Sequence, residues 1–288
     1  MLPIRIEPQL LTPSREPPEG DRWIHEVKYD GYRLLCRVEH GRARLFTRPG
    51  NDWTQALPGI AAAVEALETG DAYLDGELVA LGPDGVPDFD ALRRSIGGGR
   101  GALPLVYQVF DALYAGGRSL MGADLLTRKR IVAQLVRKSR EVRYTDHLAG
   151  GGAALYREAK AAGLEGIVSK RADSTYRPGV RSRDWQKVKC YHRYTFTVTA
   201  ISRSGARLSD EAGEHVGTVP IYGGPPRVGQ PVQVRALCWR PGRRLRHAVL
   251  QAADPAMMVE CTATSSSCAA SQPAAPAPPA AARPCARK

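Results

Sequence analysis

Two segments suited to β-strands, Trp23–Lys28 and Arg33–Val38, flank the turn dipeptide Asp30-Gly31. The pattern predicts two strands meeting at a tight turn, because their side chains alternate or are β-branched and Asp-Gly tolerates a sharp reversal. Ala72–Leu81, Leu103–Tyr114, Gly166–Lys170 and Trp185–Lys189 read as further strands. Helical patterns fall between them: Thr54–Glu68, with Thr54 available as an N-cap; Thr127–Lys138, with Ile131, Leu135 and Val136 on one stripe; and Ala153–Ala162. Strands and helices do not alternate regularly, so the expected class is α+β with mixed, largely antiparallel sheets rather than a βαβ repeat. No internal repeat is visible.

A boundary is expected near Cys190. From Tyr194 to Met258 short strands such as Thr195–Ile201, Pro231–Leu237 and Leu245–Gln251 are separated by Gly/Pro turns, the signature of a small all-β barrel or sandwich. Between Tyr191 and Met258 nine Arg face four acids, and no acid occurs from Val216 to Ala253, a pattern that suits either a solvated surface or a phosphate-contacting face. From Thr262 onward Ala, Pro and Ser make up nineteen of twenty-seven residues, with no Leu, Ile, Val or aromatic side chain to drive burial, so a disordered tail is expected. The resulting division is 1–190, 191–258 and a tail over 259–288.

Forty-one Lys and Arg against twenty-nine acids give a net charge of +12, of which the segment from Thr262 carries only three, so the basic character belongs to the folded part. A polyanion such as nucleic acid is the first partner to consider. The chain has 43% hydrophobic residues, which excludes a wholly disordered protein, and no apolar run long enough to cross a bilayer or serve as a secretory signal. A cytoplasmic protein without a membrane partner is expected. The six cysteines form no C-x-x-C pair, so neither zinc binding nor a disulfide framework is indicated.

The sharpest chemical signal is Lys28-Tyr29-Asp30-Gly31-Tyr32-Arg33, a K-x-D-G-x-R element where a strand enters a turn. A lone lysine there is ordinarily a solvated charge. An amine attacks phosphorus only when unprotonated, however, and the cations Arg33, Lys187 and Lys189 would lower the pKa of Lys28. Downstream, in fixed order, come Leu74-Asp75-Gly76-Glu77-Leu78, Tyr107-Gln108-Val109-Phe110-Asp111, Glu165-Gly166-Ile167-Val168-Ser169-Lys170 and Trp185-Gln186-Lys187-Val188-Lys189. Glu77 and Glu165 each neighbour a Gly and suit a Mg²⁺ site built from few carboxylates plus substrate phosphates. Lys187 and Lys189, two apart on one strand, leave the same face roughly 6–7 Å apart, able to clamp one phosphate chain.

These five elements resemble the motifs of the covalent nucleotidyltransferases, most closely the ATP-dependent DNA ligases of the bacterial end-joining type, over Ile6 to about Leu250. The resemblance implies an adenylation domain at 1–190 and an OB-fold at 191–258. It implies that Lys28 becomes joined to AMP, with Asp30, Gly31 and Asp75 supporting and Arg33 and Glu77 beside the nucleotide. Lys187 and Lys189 fall to the α-phosphate, Phe110 to stacking on adenine, and Glu26 to the adenine amino group. Arg48 resembles a phosphate-contacting arginine, although a plain loop arginine accounts for it equally. ATP and Mg²⁺ or Mn²⁺ are the implied cofactors. Nicked or broken duplex DNA is the implied partner, with an end-binding repair protein supplied in trans and the ligase itself a nucleoid-associated monomer.

One element departs from the family. Such ligases close their C-terminal barrel with an R-x-D-K-like element that orients the leaving pyrophosphate, and here the expected place reads Gln251-Ala252-Ala253-Asp254-Pro255. Self-adenylation is therefore expected to be weak, since losing a single such donor costs about 10²–10³ in rate. An RNA ligase or GTP-using capping enzyme shares the K-x-D-G core, and a catalytically impaired DNA-binding relative also fits the altered terminus.

Overall fold

The computed structural model describes residues 1–96, 102–137, 139–239, 242 and 244–251. The first half holds β1 (Leu10–Pro13), β2 (Trp23–Lys28), β3 (Tyr32–Glu39), β4 (Arg42–Thr47), α1 (Pro58–Glu65), β5 (Ala72–Ala80), α2 (Phe89–Ile96), β6 (Leu105–Ala115), β7 (Arg118–Ser119) and α3 (Leu125–Val136). The second holds β8 (Val142–Tyr144), β9 (Leu148–Ala149), α4 (Gly152–Ala161), β10 (Gly166–Arg171), β11 (Arg181–Lys189), β12 (His192–Ser202), β13 (Gly205–Ser209), β14 (His215–Val219), β15 (Pro231–Ala236) and β16 (Val249–Leu250).

Three sheets result, in the orders β1-β11-β10-β2-β9, β4-β3-β5-β6-β7 with β8 beside β6, and β14-β13-β12-β15-β16. All pairings are antiparallel except β1 with β11 and β6 with β8. Strand β3 explains how the first two sheets pack. Leu34 and Cys36 point into one core with Leu74, Tyr107, Val109 and residues of α1 to α3, while Leu35 points the other way to meet Ile24, Tyr73, Leu113 and Trp185. A strand buried on both faces needs this unbroken apolar run. The third sheet encloses its own core of Phe196, Val198, Leu208, Val216, Val219 and Val234. Among the described residues no helix is long and apolar enough to cross a membrane, and Cys36, Cys190 and Cys238 are free.

Four expectations need correction. Strands β2 and β3 are not a hairpin: β2 pairs with β10 and β9, and β3 pairs with β4 and β5. Neither Asp30 nor Gly31 has a positive φ, so the chain crosses from one sheet to the other instead of reversing. Glycine is needed there because a Cβ on Gly31 would lie 2.1 Å from the Leu78 carbonyl oxygen. Thr54 caps no helix. Its hydroxyl donates to Asp52 Oδ1 at 2.5 Å and accepts from the Leu45 N–H, and α1 begins only at Pro58, a residue suited to a first helical turn.

The buried stripe of α3 is Leu125, Arg128, Lys129, Val132 and Val136, not Ile131 and Leu135 with Val136. That helix is capped by Asp124, which accepts from the Thr127 N–H. Of Leu245–Gln251 only Val249–Leu250 is strand, paired with Val234 and Arg235 of β15. Helix α2, which periodicity did not predict, starts where Asp88 accepts from the Ala91 N–H. The Ala/Pro/Ser-rich tail, 259–288, and the altered segment Ala252–Pro255 lie outside the described residues.

Candidate active site

The register of the first sheet places chemistry in rows. Lys28 lies across from Gly166, which lies across from Lys189, and Glu26 across from Val168, which lies across from Lys187. Because side chains two apart share a face, one surface carries Glu26, Lys28, Lys187 and Lys189 together. Gly166 sits at φ +153° with room for no Cβ, which would lie 2.1 Å from the Val188 carbonyl oxygen, and this close approach brings Glu165 up to the lysines. Lys28 Nζ donates to Glu165 Oε2 at 2.5 Å, and Lys189 Nζ is 3.3 Å from Glu165 Oε1. Burial would raise the Glu165 pKa, but the two ammonium groups outweigh it and hold it below the usual carboxylate range.

The second sheet supplies the facing wall. Arg33 grips Asp75 bidentately, at 2.9 and 2.6 Å, donates to the Gln9 carbonyl at 2.7 Å, and Asp75 also accepts from the Tyr176 hydroxyl. Arg33 is therefore largely committed to a buried structural pair, although it lines the cleft. Glu77, opposite Arg33 in register, makes no hydrogen bond or ion pair among the described residues. Burial drives its pKa up to about 8; Lys28 and Arg33 oppose that, and Glu165 and Asp75 add to it. Lys187 is its counterpart of opposite sign. Burial together with repulsion from Lys28, Lys189 and Arg181 lowers its pKa, and it too has no ion-pair partner among the described residues.

A pocket between the sheets is lined by Glu26, Lys28, Tyr29, Arg33, Glu77, Phe110, Lys170 and Trp185. Its inner end is aromatic: Phe110 and Trp185 meet edge to face at 6.3 Å, and Lys170 Nζ lies 4.3 Å from both ring centroids. The indole N–H of Trp185 is buried without a hydrogen-bond partner among the described residues. A second cleft, about 310 Å³, opens beyond Lys28 and is lined by Glu77, Arg48, Arg181 and Lys187. Arg48 is exposed in the turn after β4. Asp30 points toward the C-terminal sheet region, where Arg246 Nη1 meets its Oδ2 at 2.6 Å, and burial with the Glu165 charge pushes its pKa up to about 6.

The sequence-derived residues Lys28, Glu26, Arg33, Glu77, Phe110, Lys187 and Gly31 thus line the two clefts, Glu165 and Lys189 join them through the ion pairs that begin at Lys28, and Asp75 holds Arg33 from behind. Sequence reasoning missed Lys129, Lys170, Trp185, Arg181 and Arg246. Lys129 left a readable signal, because with Arg128 it falls on the 125, 132, 136 stripe of α3, and a cation on a buried stripe must meet an acid. Arg128 meets Asp111 and Lys129 meets Glu26.

No group of three or more ligating side chains occurs among the described residues. Glu77 and Glu165 nevertheless fit a hard divalent cation of the Mg²⁺ type, which is held by one or two carboxylates plus substrate phosphates. Glu77 is a desolvated carboxylate that forms no ion pair among the described residues and lies within the fields of Lys28, Arg33 and Glu165.

A family model described as the ATP dependent DNA ligase domain matches residues 15–189. The multifunctional non-homologous end joining protein LigD of Pseudomonas aeruginosa is 40% identical over 199 residues, 68% of this chain and 23% of that protein. The SPbeta prophage-derived DNA ligase-like protein LigB of Bacillus subtilis is 32% identical over 204 residues, 70% of this chain and 74% of that one. A structure of mycobacterial DNA ligase D complexed with ATP and MES superposes with a TM-score of 0.63 at 26% identity, over 86% of this chain and 96% of that one. The chain spans about a quarter of the length of the LigD relatives it matches, 23% and 26% for two of them.

Proposed function

The chain belongs to the ATP-dependent DNA ligase family and has its nucleotidyltransferase-type fold of mixed sheets with few helices, and from that premise we propose that it seals nicks in duplex DNA through a Lys28-AMP intermediate. The observation that carries this reading is that Lys28 and Glu77 line both an aromatic pocket and a basic cleft that also holds Lys187, while Lys28 is ion-paired to Glu165, which Lys189 also meets.

In the first step Lys28 Nζ attacks the α-phosphorus of ATP, a P–N bond forms and pyrophosphate leaves. The ammonium sheds its proton to solvent before attack, and Glu165 Oε2, 2.5 Å away, orients the nitrogen. Lys187 and Lys189 take the α-phosphate charge, which relieves the mutual repulsion that now depresses Lys187. Phe110 supplies a face for adenine, Glu26 an acceptor for its amino group, and Arg48 with Arg181 a basic flank for the outer phosphates. Glu77 and Glu165 would hold Mg²⁺ or Mn²⁺, which when bound neutralises phosphate charge developing in transfer. AMP then passes to a 5′-phosphate, freeing the Lys28 amine, and the 3′-hydroxyl attacks that phosphate, expelling AMP and closing the phosphodiester.

The sheet of residues 192–250 is read as an OB-fold within a 191–258 domain, following an adenylation domain at 1–190. Its exposed face supports contact with a DNA backbone. Arg193 and Arg235 lie directly opposite each other in register, both exposed, an arrangement that costs stability unless an anion joins them. Arg203, Arg207, Arg227 and Arg244 are exposed nearby in sequence. A role in end joining is suggested by the printed name of the LigD relatives, and an end-binding protein in trans and a place at the nucleoid are proposed with it.

The test is sealing of a labelled nicked duplex by the wild type and by Lys28→Ala. Sealing by the first and not the second supports the reading. Binding without sealing, even of pre-adenylated nicks, replaces it with a non-catalytic DNA-binding relative.

A further inference from the structure

At the aromatic end of the cleft three charges are shut away from water. Glu26, Lys129 and Lys170 are each at most 3% exposed in their side chains. Glu26 Oε1 accepts from Lys129 Nζ at 2.5 Å, and Glu26 Oε2 lies 2.7 Å from Lys170 Nζ. Lys129 spends a second donor on the Thr145 carbonyl at 2.8 Å and rests 4.7 Å from the Tyr144 ring centroid. Asp111, whose charge also reaches Lys170, is taken by a bidentate Arg128. Two buried ammonium groups on one carboxylate are costly in stability compared with apolar packing, so the arrangement calls for a reason beyond holding the fold. Glu26 lines the pocket beside Phe110, Trp185 and Lys28, whereas Lys129 does not line it. A carboxylate offers about four lone-pair sites, and here Lys129 takes one by hydrogen bond while Lys170 pairs by charge.

We propose that Lys129 is a positioning residue for nucleobase choice: with Lys170 it fixes Glu26 as an accept-only carboxylate, so the pocket admits a purine carrying a 6-amino donor and rejects one carrying a 6-oxo group. This rests on the adenylation reading above. Lys170 contacts the aromatic floor and would touch the base itself, so Lys129, one layer behind, is the residue that acts only through Glu26. Burial alone would push the Glu26 pKa up, and the charges of Lys129 and Lys170 bring it below the usual range. The other polar groups that sense its charge are Tyr29 from the end of β2, and Tyr144 and His147 from the segment starting at β8. None of these is a cation at neutral pH, since burial lowers the His147 pKa. Without Lys129 the carboxyl would lose one of the two charges that hold its pKa down, burial would favour its protonated form, and that form can donate to a 6-oxo purine.

The experiment is intact-mass measurement of the nucleotidyl adduct formed by the full chain with ATP, GTP or inosine triphosphate, at pH 6, 7.5 and 9. Wild type is expected to prefer ATP over the 6-oxo nucleotides by a ratio that does not change with pH. Lys129→Met is expected to lose about tenfold of that ratio at pH 6 and to regain it toward pH 9, while Lys129→Arg keeps it. A merely structural role would lower adduct formation with all three nucleotides alike. An unchanged ratio in Lys129→Met overturns the proposal. So does a wild-type ratio that collapses between pH 9 and 6, an arm that holds even where the methionine variant fails to fold. No adduct in wild type with any nucleotide overturns the adenylation reading and this inference with it, whereas a wild-type adduct with unaltered selectivity in the variant overturns this inference alone.

Discussion

The two ends of the cleft treat buried charge in opposite ways. At the aromatic end every charge has a fixed partner: Glu26 with Lys129 and Lys170, and Asp111 with Arg128. At the end near Lys28 the pairing is incomplete. Among the described residues neither Glu77 nor Lys187 forms an ion pair, and burial pushes Glu77 up to about 8 and Lys187 down. A closed set of charges is a rigid wall whose protonation is settled before any ligand arrives. An open set is an invitation to charge from outside, here a triphosphate and a metal. The difference separates residues that shape the site from residues that complete it only with substrate.

The comparison can be broken most severely at Lys28. Lys28→Ala removes the attacking atom, and sealing is expected to fall on the order of 10⁶-fold, the scale of deleting a covalent nucleophile; gel assay of nicked duplex reads it. The closed side should respond in stability rather than in chemistry. Arg33→Met leaves Asp75 buried and uncompensated, with an expected loss of about 3–5 kcal/mol in denaturant titration, and a change under 1 kcal/mol would show that the pair is not structural. The open side should respond in binding: Lys187→Ala is expected to weaken ATP use about tenfold to a hundredfold with little change in melting temperature, read from adenylation rate against ATP concentration.

The smallest effect is the most discriminating. Glu77 is a carboxyl raised in the folded state from 4.5 to about 8, so across that window the native form holds a proton that the unfolded chain has lost. Stability therefore falls as pH rises from about 5 to 8. Glu77→Gln removes that slope and is expected to melt a few degrees higher than wild type at pH 8, and equally at pH 4, while losing adenylation. Asp30, pushed up to about 6, contributes a slope of the same sign that remains in the variant. Identical pH profiles for the two proteins would contradict an unpartnered Glu77.

Much of this site was legible in the sequence because its residues sit on strands at fixed spacing. Two-residue periodicity put Glu26 with Lys28 and Lys187 with Lys189, and the glycines at 76 and 166 marked where backbones come together. Partnerships across sheets were not legible. Asp30-Gly31 looked like a hairpin because local turn chemistry cannot tell a reversal from a crossover between sheets. The partner of Glu26 was hidden for the same reason, since Lys129 lies 103 residues away on a helix whose apolar stripe was phased by Ile131 and Leu135. Arg33 was expected beside the nucleotide, and only the fold revealed that Asp75 and Gln9 take most of its donors.

The central claim is that the titratable groups left without ion pairs near Lys28, Glu77 and Lys187, mark a site where this lysine takes AMP from ATP. The most direct measurement is peptide mass mapping after incubation with ATP and Mg²⁺. The account predicts a single AMP adduct on Lys28, absent when ATP or the divalent ion is withheld. An adduct on another lysine, or none while nicked DNA is still sealed, would contradict it.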